Sequence, residues 1–155
     1  MQFPYGARVT PVVTAGAGFL LAVLWFDLMF DVQVRGRREP TPDSLASIGG
    51  YYRRVTLEAR PMNRLVALVM LATLVALAVE VADDDVPRWV SVTSLVLTAG
   101  ATGLAAGHTF ANGARLGSGR GSHEDRTRLA RLMLRDHLLC LAAIVSVLVL
   151  QVGFA

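Results

Sequence analysis

Apolar residues along this chain gather into four long runs, and the charged residues crowd into short stretches between them. The runs cover about 12–34, 62–82, 89–112 and 134–154. Each is close to 20 residues, which as a helix rising ~1.5 Å per residue makes ~30 Å, the thickness of a bilayer's hydrocarbon layer. Four transmembrane helices in one domain are the predicted architecture, an all-α integral membrane four-helix bundle. Arg64 and Glu80 bound the second run, where long side chains can snorkel to the interface.

The first run needs separate treatment, because it contains "WFDLMFD", with Asp27 and Asp31 four positions apart on one helical face. On insertion scales a central Asp costs roughly 2.5–3.5 kcal/mol, and each Leu, Ile, Phe or Val returns roughly 0.3–0.6. The dozen such residues in the run offset two off-centre aspartates, so the helix can insert if both carboxylates face protein. No small-residue cleavage pattern follows the run, so it is expected to be retained rather than removed as a signal peptide.

Composition agrees with the pattern. Of 155 residues, 54% are hydrophobic, and the mean hydropathy of +0.50 is too high for a small soluble domain. The lone Cys140 excludes an intrachain disulfide and gives no information on redox compartment.

Charge supplies the expected orientation. The chain contains no Lys. Arg35, Arg37, Arg38, Arg53, Arg54 and Arg60 lie between runs one and two, and Arg115, Arg120, Arg126, Arg128 and Arg131 lie between three and four. The turn "EVADDDVPR" has one Arg against three consecutive aspartates, and the C-terminal tail has none. By the positive-inside rule both Arg-rich loops are cytoplasmic and both termini extracytoplasmic, in a bacterial inner (plasma) membrane. Attraction to anionic headgroups accounts for the net charge of +3, so no nucleic-acid partner is expected.

The first Arg-rich loop contains "TPDSLASIGGYYRRVTLEARP". Thr41 and Pro42 suit N-cap and N1, and Leu45, Ile48, Tyr52 and Val55 follow at helical spacing, with Arg54 and Glu58 four apart. The spacing predicts a short helix on the membrane surface, with Tyr51 and Tyr52 at headgroup level and a kink at Gly49–Gly50. The other loop, "GARLGSGRGSHEDRTR", is rich in Gly, Ser and charge and is expected to be mobile, with His123 solvated.

With orientation set, the polar residues of the runs fall at one depth. Asp27 and Asp31 lie towards the inner end of the first helix, and His108 and Asn112 at that of the third. Asn63 and Arg64 open the second helix; Arg135, Asp136 and His137 open the fourth. Gly100, Gly103 and Gly107 are expected to form a groove for close helix contact, with Gly16 and Gly18 doing the same in the first helix.

Three readings of this convergence stand side by side. The aspartates pair with Arg64 or Arg135, and Asn63 and Asn112 bridge helices as structural glue. The groups line a catalytic or ligand pocket, where a carboxylate beside His serves as a general base. Two carboxylates and two histidines hold iron or zinc, although no H-E-x-x-H or E-x-x-H motif is present. Cys140 reads as a packing residue. Trp25 is deep enough to wall a pocket or to pack the core.

The stretches "AGAGFLLAVLWF" (15–26), "HTFANGARL" (108–116) and "ARLMLRDHLL" (130–139) resemble the small four-helix membrane proteins related to anthrone oxygenases. That pattern has a Gly-containing first helix, a helical first loop, an Asn near the inner end of helix three and an Arg-rich entry to helix four. Asp136 stands where the pattern has Asn before His137, and Asp27 and Asp31 are additions to it. The resemblance implies cofactor-independent oxygenation of a polycyclic phenolic substrate in some members.

The leading expectation is therefore an oxygenase- or oxidoreductase-like step on a small lipophilic molecule, with neither metal nor cofactor. His137 or His108 would act as base and Asp27 and Asp31 would orient it. Asn63, Arg64 or Asn112 would stabilise developing negative charge, with Asp136 and Trp25 completing the pocket. The rival expectation is a non-catalytic subunit, carrier or scaffold. Besides lipid, its partner would be a second copy or another membrane protein.

Overall fold

The computed structural model describes residues 6–36, 39–83 and 86–155, all but the side chains of residues 6–8 and 60. Arg37, Arg38, Asp84 and Asp85, counted above among the loop charges, lie outside the described residues. Among the described residues six α-helices follow in order: α1 (Gly6–Asp31), α2 (Pro42–Tyr52), α3 (Arg60–Ala82), α4 (Arg88–Leu104), α5 (Phe110–Gly117) and α6 (His123–Phe154). A 3-10 turn (Val32–Val34) ends α1, and π-helical segments follow α2 (Arg53–Glu58) and α4 (Ala105–Thr109). The second π segment joins α4 to α5 without a break. Among the described residues there is no strand.

Four stretches are long and apolar enough to cross a membrane: Val9–Val34, Pro61–Ala82, Arg88–Gly117 and His123–Phe154. They close a ring in which α1 touches α3 and α6, and α4 touches α3 and α6. Val13, Ala17, Leu77, Ala101, Ile144 and Val147 fill its centre. Its distribution of polarity runs opposite to that of a water-soluble bundle. Leu68, Val96 and Val152 are 62%, 65% and 70% exposed, while Asp31, Glu80, Asp136, His137 and Gln151 are buried. A multi-pass membrane protein requires this, because in hydrocarbon polar side chains turn inward to find one another.

The spans depart from their expected limits. The first helix begins at Gly6 and passes through Pro11. The third continues to Gly117, and α6 starts at His123, eleven residues before the apolar run. The loop expected to be mobile is a turn over 118–122. Ser122 Oγ accepts from Asp125 N at 3.1 Å, and Asp125 Oδ2 accepts from Ser122 N at 3.2 Å. This capping box starts a helix within a stretch whose composition reads as loop. Gly119 and Gly121, at positive φ, reverse the chain.

The helix α2 forms where its N-cap signal placed it: Thr41 Oγ1 accepts from Ser44 N at 3.2 Å, with Pro42 at N1. Its apolar face, however, packs on protein. Leu45, Ile48 and Tyr52 are buried against Leu116, Leu129, Ala130 and Met133, across the ends of α5 and α6. Those helices run past the apolar segment and offer an apolar groove, which captures the face otherwise left to lipid. Arg126 Nη2 ties α6 to the Leu45 carbonyl at 3.0 Å. The helix runs straight through Gly49 and Gly50, and irregularity begins only at Arg53. There the wider π turn pairs Arg53 with Glu58, five apart, at 3.3 Å in place of Arg54 with Glu58.

Of the glycines expected to permit close helix contact, only Gly16 does so. A Cβ on Gly100, Gly103 or Gly107 would meet nothing within 4 Å, and the same holds for Gly18. On Gly16 it would collide with the Thr73 hydroxyl, and on Gly117 it would lie 2.7 Å from Arg53 N. Gly117 therefore lets the α5 backbone seat against the end of α2. Gly117→Ala is expected to lower unfolding stability by about 1–3 kcal/mol through overpacking against backbone, and Gly103→Ala to leave it unchanged. Thermal unfolding of both variants in detergent checks the contrast.

Candidate functional site

One end of the bundle, where α2 packs, collects charged groups that a short apolar run cannot leave facing lipid. The aspartates of α1 are one turn apart, so both face the end of α2, and α6 carries His137 to the same level. Tyr52 donates its hydroxyl to Asp31 Oδ1 at 2.8 Å, and Asp31 Oδ2 lies 2.6 Å from His137 Nδ1. Tyr51 donates to Asp27 Oδ1 at 2.7 Å. Asp31 has no exposed surface, and Tyr52 and His137 are buried. Consecutive tyrosines reach different carboxylates because their rings stand at 72° to one another; Phe30 stacks on Tyr51 with ring centroids 4.1 Å apart.

Proton placement follows from the partners. An Asp31 carboxylate that accepts from Tyr52 accepts from the imidazole too, so Nδ1 carries the hydrogen. His137 Nε2 is then the basic atom. Its nearest carboxylate oxygen, Asp27 Oδ2, is 3.7 Å away, beyond direct hydrogen bonding. A carboxylate holding one imidazole nitrogen and leaving the other free is the arrangement that orients and strengthens a general base.

A second group lies beside the first. His108, in the π segment, places Nδ1 2.5 Å from Asp136 Oδ2, and Arg135 Nη2 donates to Asp136 Oδ1 at 3.1 Å. Asn112 Nδ2 is 3.1 Å from His108 Nε2. The two groups are separate because Asp136 and His137 are neighbours on α6, ~100° apart around its axis. One faces the π segment after α4, the other faces α1 and α2. The expected single convergence is therefore two hydrogen-bonded sets. Among the described residues, no three His, Cys, Asp or Glu side chains are placed to hold a metal ion.

An apolar cavity of about 400 Å³ opens inside the ring. Leu20, Leu24, Val66, Met70, Ala101 and Ile144 line its length; Asp27, Tyr51, Tyr52, Asn63 and His137 line one end. Thr56 and Thr109, from the two π segments, also face it. Such π turns recur at functional sites.

Of the residues singled out from sequence, Asp27, Asn63 and His137 reach the cavity, and Asp31 stands behind His137. His108, Asn112 and Asp136 form the separate set outside its lining. Asn63 already donates Nδ2 to the Thr56 carbonyl at 3.1 Å. Arg64 is exposed and absent from the lining, and neither it nor Arg135 pairs with Asp27 or Asp31. Trp25 is 64% exposed on the outer side of α1 and walls nothing; Phe26 lines the cavity in its place. Tyr51 and Tyr52 were not among the site candidates. The signal for Tyr52 was its spacing from Leu45 and Ile48, which puts it on the buried face of α2.

No family model, curated protein or solved structure matches this chain. Fold and site define a bundle of four apolar, membrane-length helices holding a cavity with a carboxylate-oriented histidine at one end.

Burial first, and then the Asp31 and Asp27 carboxylates, pushes the Tyr52 hydroxyl well above its usual value of 10.0. Burial and Asp27 raise Tyr51 likewise. Both protons are held more tightly folded than unfolded, so this stabilisation is complete below pH ~10 and is lost as pH rises through the folded-state values. Thermal stability in detergent is expected to fall above that pH, with a shallower fall in Tyr51→Phe and Tyr52→Phe. Tyrosinate absorbance in the same series should show each variant losing a late-titrating phenol.

Proposed function

We propose that this is a four-span inner-membrane protein, with both termini outside and the α2 end at the cytoplasmic face, that binds a small lipophilic molecule and acts on it through His137. The topology rests on the placement of arginines on either side of the apolar runs. The activity rests on one observation: an apolar cavity ends at a histidine whose Nδ1 is held by Asp31 and whose Nε2 has no direct hydrogen-bond partner among the described residues.

The chemistry that suits this geometry is proton abstraction from an activated C–H or O–H of a polycyclic phenolic substrate. His137 Nε2 takes the proton, and Asp31, with Asp27 nearby, stabilises the resulting imidazolium. The second amide hydrogen of Asn63 is available to the developing oxyanion. The substrate carbanion adds dioxygen, and the imidazolium returns its proton to the peroxide to give a hydroperoxide. Loss of water leaves a carbonyl, so CH2 and O2 become C=O and H2O with no cofactor. The short stretches resembling anthrone-oxygenase-like proteins are consistent with this reading. The His108–Asp136 pair acts as a structural clasp between α6 and the π segment.

A second reading is favoured by the interlocking of Tyr51, Tyr52, Asp27, Asp31 and His137, which joins α1, α2 and α6. In it the cluster only fastens helices, for a non-catalytic subunit or carrier.

His137→Ala and Asp27→Asn separate the two. With a panel of polycyclic phenols and anthrones, wild-type protein in detergent is expected to consume oxygen. His137→Ala, eluting as folded protein, should lose about 10²-fold or more of that rate. Wild type without turnover on the panel, or His137→Ala as active as wild type, would defeat the catalytic reading. Lowered unfolding temperature in both variants, with no activity to lose, would establish the fastening role.

A further inference from the structure

The opposite end of the bundle holds a second polar core, which the cavity does not reach. Glu80, near the end of α3, is 1% exposed. Thr10 of α1 donates to its Oε1 at 3.0 Å, and Gln151 Nε2 of α6 donates to its Oε2 at 2.8 Å. The same Nε2 lies 3.3 Å from Ser94 Oγ of α4. Every helix of the ring contributes one group to this layer.

Its electrostatics differ from those of the other end. Asp31 has His137, and Asp136 has Arg135 and His108. Among the described residues Glu80 has only neutral partners. A buried carboxylate without a counter-charge is strongly disfavoured in an apolar bundle. Two further oxygens lack any hydrogen-bond partner among the described residues: Gln151 Oε1 and Thr98 Oγ1, on residues 2% and 0% exposed. Thr98 is one turn from Ser94 on the same face of α4.

A missing positive charge and orphaned oxygen acceptors have a common answer. We propose that Glu80, Gln151, Ser94 and Thr98 bind a monovalent alkali cation. The donors are hard oxygens, with no imidazole or thiolate to select a transition metal. A single carboxylate balances one charge, whereas calcium and magnesium sites draw on more acidic or phosphate oxygen. Binding there would hold the four helices together at the end that α2 does not brace.

The test uses the whole chain in detergent, in choline chloride, titrated with NaCl or KCl at constant ionic strength. Wild type is expected to show a saturable rise in unfolding temperature, and retention of radiosodium or radiorubidium at one ion per chain. Glu80→Gln should abolish both. Thr98→Val, which removes only an unpartnered hydroxyl in a near-isosteric side chain, should move the midpoint to about tenfold higher ion concentration; it keeps the test decisive if Glu80→Gln does not fold. Wild type indifferent to both ions, a stability that follows pH alone (a protonated Glu80 or a buried water), or a Thr98→Val midpoint equal to wild type would each overturn the assignment.

Discussion

A charge buried in an apolar bundle has to be answered from inside the bundle, and the rest of this structure is arranged around that constraint. Asp31 has no contact with solvent, and its two oxygens are answered by a phenol from α2 and an imidazole from α6. Removing either partner would leave one of those oxygens unanswered in low dielectric, which costs ~1–3 kcal/mol for a buried hydrogen-bonding group. The three elements are thereby tied to one arrangement, since a shift of one helical turn would separate donor from acceptor.

The same requirement explains how α2 is used. Its apolar face could rest on lipid, but its tyrosine hydroxyls would then meet water or headgroups while the aspartates of α1 went unserved. Docking across the ends of α5 and α6 buries Leu45 and Ile48 and delivers both hydroxyls in one move. Gly117 permits the close approach, and the π turn after Tyr52 redirects the chain towards α3. Packing and site chemistry are therefore one structural decision at this end.

The cavity is the complement of these contacts. Residues of both π segments, Thr56 and Thr109, border the apolar space beside His137. Basicity, orientation and an apolar approach thus meet at one nitrogen. At the far end the polar layer around Glu80 is closed to that space and paired differently, through hydroxyl and amide groups instead of imidazole. Two ends with unlike polar chemistry, on one set of helices, give the bundle a direction.

The number of long helices, their apolar character and the start of α2 were legible in the sequence, because they depend on run length, composition and local capping, which are properties of neighbours along the chain. Asp27, Asn63 and His137 could be marked as candidates because a polar group in an apolar run is conspicuous wherever it points. What they pair with was not legible. Whether His108 joins His137 depends on 100° of rotation between Asp136 and His137, and whether Tyr51 meets a headgroup or Asp27 depends on where α2 docks. The glycines misled for the same reason: spacing along α4 describes a smooth face, but only the neighbouring helix decides whether anything lies against it. Local sequence determined which segments become helices and which residues had to be hidden; tertiary packing alone chose their partners, since those come from segments dozens of residues away whose rotation no local pattern encodes.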